Sequence, residues 1–234
     1  MIKAELVKRS PLRILEKSTH GGLKAGELGV VASRKGVGKT ACLVHIATDK
    51  LLQGHHVIHV SFAGRTDHII SWYEDIFREI AKKRNLEDAM DIHDELVKHR
   101  VIMNFSLDGI PMDQVLKSLR AMINDGGFAA DSVIVDGFDF DGTNVDAIRQ
   151  IRKFAEELGI AVWFSASLRG DDPLYDKNGV PFALEPYTDL VEVLITLTPR
   201  QEFVHLGLIK DHERILQEDL HLKLDSKSLL IAEE

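Results

Sequence analysis

Cysteine is almost missing from this chain. Cys42 stands alone, so no disulfide can close within the sequence, and a reducing cytoplasm is the expected compartment. Long apolar runs are missing as well. None approaches the ~20 residues that span a bilayer, so no membrane partner is expected. Residues 1–20 alternate charge and hydrophobe, unlike a secretory leader. Basic residues are in deficit: 29 Lys and Arg face 37 Asp and Glu, for a formal net charge of −8. That balance opposes nonspecific attraction to nucleic acid or anionic lipid. What is present, 44% apolar and 28% charged residues over 234 positions, suits one α/β domain, or two small domains at most. The expected organisation is a single domain over 1–234, with 1–20 a lead-in and 187–234 a β-rich extension.

The pattern alternates strand and helix. "LGVVAS" (28–33) reads as a buried strand, and 39–53 puts Leu43, Ile46, Ala47 and Leu51 on one helical face before Gly54. "VIHVSF" (57–62) reads as the next strand. Helices follow over 67–84 and 86–99, a strand over 100–105, and a helix from Pro111 to Asn124. "SVIVD" (132–136), a helix over 144–159 and "IAVWFSA" (160–166) complete the series. This order predicts a mainly parallel sheet with helices on both faces. Residues 169–187 read as a long polar loop. After 186 the segments "LVEVLITL", "EFVHLGLI", "LHLKLD" and "LLIAEE" read as largely antiparallel strands extending one sheet edge, with no helix.

"SRKGVGKTA" (33–41) sits between the first strand and its helix. A phosphate loop needs backbone N–H groups converging on an anion, followed by the positive end of a helix. Gly36 and Gly38 permit such a turn. The nucleotide-binding residues expected here are Arg34, Lys35, Gly36, Val37, Gly38, Lys39, Thr40 and Ala41. Lys39 would reach the β- and γ-phosphates, and the Thr40 hydroxyl would ligate Mg²⁺. Asp136, at the end of a neighbouring strand, is the expected second Mg²⁺ residue and a candidate in catalysis. Ser33 takes the place where the usual pattern begins with glycine. A small residue fits there when its φ is negative. The expected cofactors are therefore ATP and Mg²⁺.

Together these residues resemble the RecA-type P-loop ATPases, in particular the KaiC/RadA/DnaB-like branch. "GGLKAGELGVV" (21–31) is similar to that branch's glycine-rich lead into the first strand. "GHHVIHVSF" (54–62), "FAEELGIAVWFSASLR" (154–169) and "LGLIKDHE" (206–213) resemble its later strands, and the likeness runs over about residues 10–230. The resemblance implies a RecA-like α/β fold, ATP binding, and assembly of like subunits or a protein partner, with nucleotide held between subunits. The departures lie at catalytic positions. The branch's glutamate, two residues after the serine of its "VSxE", matches Ala63, which cannot orient a water. Its sensor glutamine matches Ser167. Its Lys-x-Arg finger matches Lys210 and His212, with Arg214 two residues later as a substitute candidate. Asp67, Glu74 and Asp75 are alternative carboxylates. Lys35 falls one place late for the extra lysine of ParA/MinD-type loops, so Arg34 and Lys35 are read as added positive potential.

The expected function is nucleotide-dependent assembly or regulation with weak or absent hydrolysis. The alternatives are an active motor or remodelling ATPase using a displaced carboxylate, and a scaffold that no longer binds nucleotide. Nucleic acid is not an expected partner. The loops that would meet it, 138–146 and 169–187, carry Asp139, Asp141 and Asp146 in one, and Arg169 and Lys177 against Asp171, Asp172, Asp176 and Glu185 in the other. His55 and His56 fall in a turn and His59 in a strand, so no shared metal is expected of them. Trp72, Tyr73 and Phe77 read as core.

Overall fold

A computed structural model describes residues 2–62, 67–105, 111–171 and 174–234. Its strands are β1 (Leu28–Arg34), β2 (Val57–Ser61), β3 (Arg100–Asn104), β4 (Ser132–Phe138), β5 (Ala161–Leu168), β6 (Val193–Pro199), β7 (Phe203–Asp211), β8 (Arg214–Asp225) and β9 (Ile231–Glu233). Among the described residues they form one sheet in the order β3-β2-β4-β5-β1-β6-β7-β8-β9. β3 through β6 pair in parallel, and β7, β8 and β9 add antiparallel to that edge. The α/β class and the antiparallel extension are as the sequence predicts. The first of the four late segments differs, because β6 runs parallel to β1.

Helices α1 (Ile2–Lys8), α2 (Leu12–Ser18), α3 (Lys39–Leu52), α4 (Asp67–Arg84) and α5 (Ala89–Lys98) cover one face, where α3 buries Leu43, Ile46, Ala47 and Leu51. Helices α6 (Met112–Arg120) and α7 (Val145–Leu158) cover the other with Val115, Leu119, Ile148, Ile151 and Phe154. Each of the Val, Leu, Ile and Phe side chains removed from water contributes about 1.5–3 kcal/mol. α7 has both of its ends encoded: Asn144 Oδ1 accepts from Asp146 N–H at 2.9 Å, and Gly159 takes φ +64°. α6 runs on into a wider π turn over Ala121–Asp125.

The lead-in of residues 1–20 is helical and packed: Leu6, Leu12 and Leu15 are buried in the α3 face, Arg13 pairs with Asp49, and Lys50 pairs with Glu16 at 3.0 Å. The polar stretch 169–187 is not a plain loop: it ends in a 3₁₀ helix, Phe182–Leu190, that holds Pro186 internally. Tyr187 anchors that helix, its hydroxyl donating to Phe140 O at 2.9 Å and reaching Thr143 O at 2.6 Å. No described helix is long and apolar enough to cross a membrane.

Candidate functional site

The loop leaves the sheet at the carboxyl end of β1. Ser33 is still within that strand, paired with Ser167 of β5, and it is not among the residues with positive φ. That is why serine serves where glycine is usual. The turn itself needs positive φ at two places, Gly36 at +82° and Gly38 at +121°. Cys42 N–H closes the first helical bond of α3 onto Gly38 O at 3.0 Å. The N–H groups ahead of it are those a helix leaves open for an anion. The Ala41 side chain lies in the core, so only its backbone is available to a ligand. Arg34 and Lys35 are exposed on the loop, and Arg34 donates to Gly170 O at 3.1 Å.

Lys39 is buried, 7% exposed, and folds back over its own loop. Its Nζ donates to Ser33 O at 3.2 Å and Arg34 O at 3.0 Å. Burial pushes its ammonium below the ordinary lysine value, and the charge of Asp136 pushes it back up. Such a cation is held by carbonyl dipoles that a phosphate oxygen can replace.

Asp136 reaches the loop from two strands away. β5 stands between β1 and β4, so the acidic strand is not the immediate neighbour. The gap is bridged by α3: Thr40 Oγ1 donates to Asp136 Oδ2 at 2.9 Å. The β4–β5 register shifts between Val135 and Phe138, a bulge of the kind that re-aims a side chain. Gly137 N–H then donates to Ser165 Oγ at 2.8 Å, which fixes the bulge. A hydroxyl and a carboxylate are hard oxygen donors, the type Mg²⁺ takes.

The other expected residues divide. Ser167 is beside the loop through its pairing with Ser33. Ala63 lies outside the described residues. Glu74 sits 2.7 Å from His93 Nε2 and 3.8 Å from Arg100, and Asp75 pairs with Arg78 at 2.8 Å. Asp67 is exposed at the start of α4. The Lys210, His212 and Arg214 group is at the opposite end of the sheet. Lys210 pairs with Leu194, which is level with Val30 near the start of β1. Its ammonium donates to Thr188 O at 2.7 Å and to Val191 O, and burial lowers its pKa. His212 makes the β7–β8 turn with φ +53°. Arg214 is exposed beside it. Arg169 sits 3.4 Å from Asp139, so the acidic loop takes up its charge.

Sequence reasoning missed one group on the α3 face of the sheet. His59 is fully buried, with Nδ1 3.1 Å from the Tyr73 hydroxyl. The Arg100 guanidinium lies 4.3 Å from the centre of the Tyr73 ring. Burial holds His59 below the ordinary histidine range. Its only signal is a polar residue inside "VIHVS".

No protein-family model and no curated protein matches this chain.

Proposed function

We propose that this chain is an ATP-binding P-loop protein of the RecA-like class, similar to the KaiC/RadA/DnaB-like branch. Its nucleotide state signals through assembly with like subunits or a protein partner, and hydrolysis is weak or absent. The observation that carries this reading is the joint placement of Lys39 and the Thr40–Asp136 pair at one strand end, where α3 presents its open N–H groups. Lys39 exchanges loop carbonyls for phosphate oxygens, and Thr40 and Asp136 hold Mg²⁺. The parallel sheet that sets β1 and β4 on either side of β5 supports the fold reading.

Weak hydrolysis follows from what stands at the catalytic positions. Ala63 has no carboxylate, and Ser167 has a short reach. Lys210 is engaged with its own chain, and Arg214 is at the far end of the sheet. A finger from this group can meet a phosphate only on a second copy.

Calorimetry with Mg-ATP tests binding: the wild type binds and Lys39→Ala does not. Absence of binding in the wild type leaves the scaffold reading instead. Phosphate release at ~1 s⁻¹, an ordinary enzymatic turnover, lost in Lys39→Ala, would replace a signalling role with an active ATPase.

A further inference from the structure

On the face of the late strands turned away from α3, three metal-ligating side chains meet, His205, Asp219 and Glu234, and a fourth, His221, is exposed beside Asp219. β7 brings His205, β8 brings Asp219 and His221, and the residue after β9 is Glu234. His205 Nδ1 is 3.1 Å from Glu234 Oε1 and 3.7 Å from Asp219 Oδ1. One ligand atom of each of these three lies within 4.8 Å of the others. His221 Nδ1 is 3.9 Å from the same Asp219 oxygen. A tetrahedral Zn²⁺ with bonds of about 2.0–2.2 Å sets its ligand atoms about 3.3–3.6 Å apart. The two His205 separations fall either side of that span, and His221 would complete the set by turning its exposed ring inwards.

The register explains the meeting. Leu206 pairs with Leu222 but Gly207 pairs with Asp219, so Leu220 and His221 are extra on β8. Leu206, Leu220, Leu222 and Leu224 go to the core, leaving their neighbours for the other face. His221 takes φ +50°, its N–H donates to Asp219 Oδ1 at 2.7 Å, and Glu234 N–H donates to His221 O at 3.0 Å.

We propose that His205, Asp219, His221 and Glu234 form a Zn²⁺ site that clips β7, β8 and β9 together. Two imidazoles and two carboxylates suit a borderline ion better than Mg²⁺ or Ca²⁺, which favour all-oxygen sets. Four protein ligands make a closed, structural site. His205 coordinates through Nδ1 and keeps its proton on Nε2.

The test titrates Zn²⁺ into the full chain, stripped with chelator and free of nucleotide, by calorimetry. Co²⁺ substitution reports geometry by visible absorption. One Zn²⁺ binds per chain, and Co²⁺ gives the intense band of a tetrahedral site. His205→Ala and Asp219→Asn lose affinity by more than about tenfold, with far-ultraviolet circular dichroism unchanged. Glu234→Gln, at the sheet edge, gives the same loss if either of those variants does not fold. Asp131→Asn, which removes the carboxylate beside His55 and His56, leaves binding intact. The proposal is overturned if the wild type takes up no Zn²⁺, leaving an ion-pair cluster only. It is also overturned if His205→Ala binds as the wild type does, or if binding depends on Asp131.

Discussion

Leu224 packs against the bare Cα of Gly38: a Cβ on that glycine would come 2.5 Å from Leu224 Cδ2. The late antiparallel strands thus press on the Gly36–Gly38 turn from the side. Gly38→Ala meets both this contact and a φ of +121°. Held backbone strain of this kind costs on the order of 1–3 kcal/mol. Gly36→Ala has positive φ but nothing within 4 Å. Urea melts should place Gly38→Ala below Gly36→Ala in stability. The double variant Gly38→Ala/Leu224→Ala should be less destabilised than the sum of its parts, because its two sites share the clash.

The Thr40–Asp136 bond gives a second prediction, visible without nucleotide. Thr40→Ala leaves the buried Asp136 oxygen without that donor. An abandoned buried acceptor costs about 1–3 kcal/mol. Asp136→Asn keeps an oxygen that can still accept, so it should melt closer to wild type. Both variants should lose the Mg²⁺-dependent part of ATP affinity in calorimetry. Equal affinities with and without chelator in the wild type would contradict the assigned metal residues.

Acid should unfold the protein through His45. Its Nδ1 accepts from the buried Ile231 N–H at 2.8 Å, so the neutral ring is the native form. Burial, then the charge of Lys83, lowers its pKa from 6.5 to about 4. The folded value lies below the unfolded one. Its stabilisation is therefore whole above pH 6.5 and is lost as pH falls towards 4, where the unfolded chain binds the extra proton. At 1.36 kcal/mol per pKa unit the loss reaches about 3 kcal/mol by the lower limit. Chemical denaturation across that window should show the decline, and His45→Gln should flatten it.

Cys42 should be inert in the folded chain. It is fully buried, and burial pushes its thiol up to about 12. Thiolate is the reactive form. Alkylation at neutral pH should track global unfolding and accelerate only with denaturant.

The loop and most strands were legible because each has a local cause. Runs such as "SVIVD" are apolar and β-branched, and the glycines of "KGVGKT" are needed by the turn they make. Helix α4 matches its expected bounds because its apolar spacing and basic end are both written in the chain. The direction of β6 was not legible, since strand periodicity is the same whichever way its partner runs. The helices of residues 2–18 were hidden by brevity: two short segments show little periodicity, and their order comes from packing Leu12 and Leu15 on α3. The 3₁₀ helix holding Pro186 has the sequence of a loop, because proline ends α-helical patterns. The His59–Tyr73 bond is invisible for another reason: it joins residues that only the tertiary fold brings together.

β1 stands at the midpoint of the sheet, with four strands on either side in the order β3-β2-β4-β5-β1-β6-β7-β8-β9. Opening events begin at sheet margins and rarely reach the middle, where exchange requires global unfolding. The amides of Val30 to Ala32, each bordered by β5 and β6, should thus be among the slowest in the molecule to take up deuterium. The glycine turn of residues 35–38, only a few residues on, is fastened to the part of the protein that opens last.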